Sequence, residues 1–272
     1  LRGNCPQGNF IGESNNFVFG RALNPINPEY STGGSSGGDA GLLAAGCIPF
    51  STGADIGGSL RMPASFCGVV TLKCTPNRIG ELDSFEMTNF LGGQIYITPA
   101  AGFFTKDVAD LEFLMHKFFS HQFYKIQSSL PPIPWRRDII FNQRHLKIEF
   151  IESDEVFPSC KAVRRCLNET VAGLRKAGHK VIPTIFPKLK ELACKYISIM
   201  SANDGVMSAL SPNIDGFEDY VPEYKTQKQF SSVPKFLHKI LPHLLKLTNQ
   251  KRLAEFAKHS MSKNVMELFL EG

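Results

Sequence analysis

Two glycine-framed serines constrain this chain more than any other feature of its sequence. One lies in residues 33–38 (GGSSGG) and the other in residues 53–59 (GADIGGS), so that Ser59 follows Ser35 by 24 residues. Glycine has no Cβ and adopts positive φ without strain, so such segments let the backbone approach a substrate closely. A nucleophilic serine also needs a proton acceptor and backbone N–H groups directed at a developing oxyanion. The pair therefore indicates two parts of one serine-based acyl-transfer site.

Neither segment identifies a site by itself. A glycine–serine run such as residues 33–38 is typical of a flexible loop or linker. A phosphate-binding loop is disfavoured, because no Gly-Lys-Ser/Thr follows the glycines. The second motif, at its distance from the first, favours an acyl-transfer site over a linker.

The remainder of the chain predicts an α/β fold. Residues 38–46 favour a helix with the first serine loop at its N-terminus, and residues 107–119 carry apolar side chains at helical spacing. Residues 53–63 are too glycine-rich for regular structure and are expected to form an exposed catalytic loop. Residues 67–73 predict a buried strand.

Two further stretches predict loops, and the sequence beyond them predicts a regular unit. Residues 1–29 indicate loops with at most a short helix, and the proline-rich residues 128–135 indicate a linker-like connection. A strand at residues 146–151, a helix at 159–177 and a strand at 180–185 then follow. Such strand–helix–strand units favour a partly parallel sheet covered by helices.

Taken together, the serine motifs resemble the amidase signature family. The resemblance continues through residues 55–64 (DIGGSLRMPA) and 68–73 (GVVTLK) and spans roughly residues 24–78. It implies an α/β fold of the amidase-signature type, a mixed β-sheet covered by helices on both faces and incomplete in this chain. Residues 1–272 are expected to form a single, partial amidase domain, and the resemblance implies no cofactor and no metal.

The family works through a Ser–Ser–Lys arrangement, which is a lysine-based variant of the catalytic triad. The resemblance implies that Ser59 is the nucleophile that forms the acyl-enzyme, and that Ser35 relays its proton to the lysine. Ser35 is expected on a non-proline cis peptide with Ser36.

The resemblance also assigns roles to the backbone and side chains around these serines. Asp55, Arg61 and Ser36 are expected to support the site without reacting. The implied oxyanion hole consists of the backbone N–H groups of Ile56, Gly57, Gly58 and Ser59.

Two features depart from the family pattern. Ala54 stands where the family usually has Thr beside the aspartate. The family's lysine lies well upstream of the paired serines, whereas residues 1–34 contain no lysine, and Lys73 matches a later Leu-Lys element. A serine without its base is a weak nucleophile. We therefore expect a fragment that lacks the lysine motif and the C-terminal part of an amidase, or a variant that hydrolyses amides poorly.

Within the family, the chain most resembles the fatty acid amide hydrolases, which carry a membrane cap of two amphipathic helices. Residues 233–247 place apolar side chains at helical spacing around Lys235, Lys239 and Lys246. Residues 233–258 hold five Lys and one Arg against one Glu, which equals the net charge of +5 for the whole chain. This amphipathic, basic segment is expected to lie on a membrane surface, although a core-facing helix with solvated lysines shows the same pattern.

The same resemblance predicts a substrate and a location. A long-chain fatty acid amide is expected, with Asn9 at the rim of the site and Phe10 lining the acyl channel; Phe10 is otherwise an ordinary core residue. We expect a peripheral protein of a cytoplasm-facing endomembrane, without a nucleic-acid partner and with a homodimer left open. The alternatives are a soluble amidase or amidotransferase subunit, and a non-catalytic lipid-binding relative.

Overall fold

The structure, a computed structural model, describes residues 14–16, 19–80, 99–137, 145–153, 159–186, 188–189 and 191–192. The described residues up to Trp135 belong to one unit, and those from Arg136 onward belong to a second. The predictions for Asn9, Phe10 and residues 233–258 lie outside the described residues. The single domain predicted for the whole chain stays a prediction.

A short hairpin opens the first unit. Strand β1 (Asn15–Asn16) pairs antiparallel with β2 (Gly20–Arg21), and the N–H of Ala22 donates to the carbonyl of Ser14 at 2.8 Å. The prediction of loops with at most a short helix is wrong for this stretch. Its two strands are too short to leave a period-2 pattern in the sequence, because such a pattern needs about four residues.

The serine motifs fold around two helices and one strand. Helix α1 (Gly37–Ala44) begins directly after Ser36, so the helix predicted behind the first serine loop is confirmed. Strand β3 (Ser51–Asp55) follows, and helix α2 (Arg61–Cys67) begins just after the second serine. Helix α2 ends at Gly68, whose φ of +67° lies in the left-handed region that glycine adopts without strain.

Strands β3, β4 (Val70–Thr71) and β5 (Ala100–Thr105) form an antiparallel sheet in the order β3-β5-β4. The central strand β5 carries two adjacent phenylalanines, and neighbouring side chains on a strand point to opposite faces. Phe104 packs in a cluster with residues of α1 and α2, whereas Phe103 packs with residues of α3 (Val108–Ser120). Helices therefore cover both faces of this sheet.

Two predictions about the second serine motif need correction. Residues 53–55 are part of β3 and residues 61–63 are part of α2, so the irregular segment is limited to residues 56–60, and Asp55 and Leu60 are fully buried where an exposed loop was expected. The predicted strand over residues 67–73 shrinks to β4, because α2 extends to Cys67 and Gly68 caps it. Local composition missed β3 because its pairing partner in β5 lies more than 40 residues later in the chain.

Helix α3 confirms the predicted amphipathic helix, and it anchors the proline-rich stretch that follows. Asp107 caps α3 by accepting a hydrogen bond from the N–H of Asp110 at 2.8 Å. Residues 128–135 have no helix or strand, yet Trp135 stacks on Phe119 with a centroid distance of 5.9 Å. Arg78 donates to the carbonyl of Ile133 at 2.7 Å and covers the same Phe119 ring. Most of this segment is exposed to solvent and it ends where the described part of the first unit ends, which agrees with the predicted linker-like connection, while Trp135 anchors its end on α3.

The described part of the second unit is the predicted strand–helix–strand unit. Strand β6 (Lys147–Phe150) and strand β7 (Lys180–Pro183) pair in parallel, and α4 (Lys161–Lys176) connects them. Gly178 ends the turn after α4 with a φ of +91°. The α/β fold class is confirmed. None of the described helices combines the length and the apolar character needed to span a bilayer.

Candidate active site

A buried carboxylate holds the second serine motif together. Asp55 is the last residue of β3, and its side chain is inaccessible to solvent. Its Oδ1 accepts a hydrogen bond from the N–H of Gly58 at 2.7 Å, and its Oδ2 accepts from those of Leu60 and Arg61 at 3.1 and 3.2 Å. The Arg61 guanidinium donates two further hydrogen bonds to this carboxylate, from Nε to Oδ2 at 2.9 Å and from Nη2 to Oδ1 at 3.0 Å. The turn over residues 56–60 is thus wrapped around one side chain.

These contacts determine the charge of Asp55. Burial raises its pKa, but the hydrogen bonds from the Arg61 side chain and from the backbone N–H groups outweigh burial and hold the pKa below the ordinary value of 3.8. The side chain is therefore an ionised, acceptor-only group at neutral pH. This geometry is what a supporting role for Asp55 and Arg61 requires.

One member of the implied oxyanion hole is otherwise engaged. The N–H of Gly58 donates to Asp55, so in this structure it is not available to a substrate oxygen. Gly58 has a φ of +125°, a backbone conformation that only glycine adopts readily. Assignment of the hole to four consecutive N–H groups therefore needs revision at Gly58.

The two serine motifs, far apart in sequence, meet in the fold. The N–H of Ser36 donates to the carbonyl of Ser59 at 3.2 Å. Ser59 is buried, whereas Ser35 is only partly buried. The cis peptide bond joins Gly34 to Ser35, so the expectation of a cis bond between Ser35 and Ser36 is wrong by one residue.

The side chain of Ser36 fills the space above a glycine of β3. Its Oγ is buried and has no hydrogen-bond partner among the residues that the structure describes. A Cβ on Gly53 would come within 2.6 Å of this oxygen. The first serine loop therefore packs directly on β3, which is the physical reason for a glycine at that position.

Sequence reasoning missed a group of buried hydroxyls around the first motif. The Oγ of Ser31 accepts from the N–H of Gly33 at 3.0 Å, and the Oγ1 of Thr32 donates to the carbonyl of Gly33 at 3.3 Å. The Oγ of Ser14 also bonds to this loop. The pairing of Ser31 with a residue two positions later is a local turn signal that the sequence offers. Ser14 has no such signal, because its partners lie 19 or more residues away.

The buried cysteine of α2 is a poor nucleophile. Burial raises the pKa of the Cys67 thiol to about 11, so this residue stays protonated at neutral pH. The cysteines in the described ranges are free thiols: Cys47, Cys67, Cys74, Cys160 and Cys166. Within the same ranges, no group of three or more His, Cys, Asp or Glu side chains could hold a metal ion.

Comparison with known proteins identifies the family of this chain. The family model described as Amidase matches residues 2–268. The chain belongs to the amidase family. Among solved structures, a fatty acid amide hydrolase superposes with a TM-score of 0.65 at 28% identity, covering 73% of this chain and 34% of that chain. The predicted amidase-signature fold class is therefore confirmed.

Curated relatives of this amidase chain include proteins named for different substrates. It is 34% identical to fatty-acid amide hydrolase 1 of Sus scrofa over 180 residues. This aligned region covers 66% of this chain and 31% of the relative. It is 31% identical to an acetamidase of Emericella nidulans over 231 residues, and this aligned region covers 83% of this chain and 41% of the relative. The chain spans less than half the length of these relatives.

Asp55→Asn is expected to destabilise the amidase fold by about 1–3 kcal/mol at pH 7, because the new NH₂ group faces N–H donors and leaves some of them unpaired. Chemical denaturation of the full-length gene product measures this change. The matched control is Asp107→Asn, which alters an exposed helix cap where Asn serves as well as Asp.

The same pair of proteins gives a pH test. Because the pKa of Asp55 is lowered in the fold, its contribution is complete above the ordinary value of 3.8 and is lost as the pH falls through the folded value. The difference in the free energy of unfolding between wild type and Asp55→Asn should therefore decrease below pH 3.8. A gap that stays constant or widens on acidification would contradict the role assigned to this carboxylate.

Proposed function

We propose that the protein hydrolyses fatty acid amides through an acyl-enzyme on Ser59. The main structural support for this proposal is the hydrogen bond from the N–H of Ser36 to the carbonyl of Ser59, which joins the two serine loops into one local structure. Membership of the amidase family and similarity to proteins named fatty acid amide hydrolases support the reaction and the substrate class.

In the proposed reaction, Ser59 Oγ attacks the amide carbonyl carbon while its proton passes through Ser35 to the lysine of the family pattern, which residues 1–34 do not supply and which the full-length gene product would have to provide. The C–O bond forms, and the carbonyl electron pair moves onto oxygen to give a tetrahedral oxyanion. This intermediate collapses, the C–N bond breaks, and the amine leaves with the transferred proton. Water then attacks the resulting ester, which releases the fatty acid and returns a proton to Ser59.

The backbone of the second motif supplies the proposed oxyanion donors. Asp55 already accepts from Gly58, so we assign the donation to the other N–H groups of the implied hole, those of Ile56, Gly57 and Ser59. A fixed turn suits this task, because donors that are already oriented need no reorganisation as charge develops. The buried Asp55 carboxylate keeps the turn fixed through hydrogen bonds to its middle, at Gly58, and to its end, at Leu60.

A second candidate is the hydrolysis of small amides, which the 31% identity to an acetamidase favours. The two candidates share the serine chemistry and differ in the acyl group that the site binds. A membrane-surface location through residues 233–247 belongs to the first candidate. It rests on the charge and hydrophobic pattern of that segment.

Labelling with a fluorophosphonate probe tests the nucleophile in the full-length gene product. We expect mass spectrometry to find the adduct on Ser59 and Ser59→Ala to abolish it. Ser35→Ala should slow labelling by about 100- to 10,000-fold, the usual contribution of a positioned proton-transfer group. Ser51→Ala is the matched control, since it removes a partly buried hydroxyl of β3 outside the serine loops. A wild-type protein that takes no label on Ser59 would support a non-catalytic, lipid-binding relative.

A series of amides with one amine and acyl chains of increasing length distinguishes the two candidates. For an apolar acyl channel, kcat/KM should rise by about fourfold for each added methylene that is buried, equivalent to about 0.8 kcal/mol. A kcat/KM that is highest for the acetyl compound and falls with chain length would favour the small-amide candidate and exclude fatty acid amides as the substrate class.

Liposome flotation tests the membrane proposal. The triple variant Lys235→Glu, Lys239→Glu and Lys246→Glu should float at least about tenfold less with anionic vesicles, since each lysine near such a surface contributes about 1 kcal/mol. The control reverses three exposed lysines elsewhere and so has the same net charge: Lys106, Lys117 and Lys125. Equal flotation of the two variants would exclude residues 233–247 as the attachment site.

A further inference from the structure

Ser14 lies outside both serine motifs, yet its hydroxyl bonds to the loop that contains Ser35. Its Oγ donates to the carbonyl of Gly33 at 3.0 Å and accepts from the N–H of Gly37 at 3.2 Å. The carbonyl of Ser35 lies 3.3 Å from the same oxygen. A hydroxyl has one proton and two lone pairs, so it can donate on one side of Ser35 while accepting on the other.

The fold holds this hydroxyl in place. The side chain of Ser14 is 2% exposed, and its backbone carbonyl accepts from the N–H of Ala22 on the opposite side of the hairpin. The carbonyl of Ala22 accepts in turn from the N–H of Thr32 at 3.1 Å. The hairpin and the start of the serine loop are therefore connected by backbone hydrogen bonds, and Ser14 adds its side chain to that connection.

Gly37 shows how closely the hydroxyl approaches. A Cβ at this position would collide with the Oγ of Ser14 and the Oγ1 of Thr32. Gly37 does not have a positive φ, so its backbone conformation is open to other residues. The close approach of two hydroxyls is therefore what favours glycine here.

We propose that Ser14 is a positioning residue for Ser35. By bonding to the carbonyl of Gly33 and the N–H of Gly37, it holds the backbone on both sides of Ser35 and so determines the orientation of that side chain. The proposal rests on the proposed role of Ser35 as proton relay. Ser14 itself acts only through the loop.

Hydrogen exchange and labelling kinetics on the full-length gene product test this role. In Ser14→Ala, the Gly37 N–H loses its acceptor, so peptides covering residues 33–38 should exchange at least about tenfold faster. The fluorophosphonate reaction at Ser59 should slow by about tenfold in its maximal rate, with an unchanged half-saturating probe concentration, because the proton relay is misaligned and probe binding is not. Ser14→Cys keeps an atom at the γ position, although a larger one, and is a weak acceptor, so it should show the same changes if Ser14→Ala does not fold.

Thr105→Val is the matched control, since it removes a fully buried hydroxyl that donates to the carbonyl of Asp107, outside the serine loops. It should leave both readouts at wild-type values. Unchanged exchange over residues 33–38 in the Ser14 variants would show that Ser14 does not hold the loop. Faster exchange with an unchanged labelling rate would overturn the positioning role. A wild type that takes no label contradicts the relay itself and with it the positioning role, whereas the exchange measurement still decides separately whether Ser14 holds the loop.

Discussion

The local structure of the candidate site depends on the Asp55 carboxylate. Its five hydrogen bonds all come from the turn and helix start that follow it, three from backbone N–H groups and two from the Arg61 guanidinium. A buried backbone N–H without a partner is costly, and one ionised side chain satisfies three of them here. The turn that carries Ser59 is thereby defined by a side chain at the end of a strand.

The sheet determines where this turn meets the other serine loop. Strand β5 pairs with every residue of β3, and Phe104 of β5 packs under α1 and α2, which flank the serine loops. The first loop packs onto β3 through Ser36, whose hydroxyl occupies the space that Gly53 leaves open. Ser14 and Thr32 approach the same loop from the hairpin side. The candidate site is therefore a layer of hydroxyls and glycines between a hairpin and a sheet.

The sequence predicts those elements whose signals are local, and it misses those whose partners lie far away along the chain. Helices α1 and α3 and the β6–α4–β7 unit are recognisable because periodicity and caps are local properties of the chain. Strand β3 was missed because its partner β5 lies far away in sequence, and the stacking of Trp135 on Phe119 leaves no local pattern either. The engagement of Gly58 by Asp55 is local, yet the motif alone does not reveal in which direction that N–H points.

The sequence by itself determined the α/β class and the resemblance to the amidase family, and it indicated the chemistry that we propose. Two glycine-framed serines at their spacing, the residues around them and the helical and strand periodicities are all present in the linear order. Only the tertiary structure decided that the two serine loops meet, that Asp55 and Ser59 are buried, and that Ser14 bonds to the first loop. The physical reason is that hydrogen bonds and close contacts depend on distances of a few ångströms between residues about 20 or more positions apart. Those distances exist only once the hairpin, the sheet and the helices have packed.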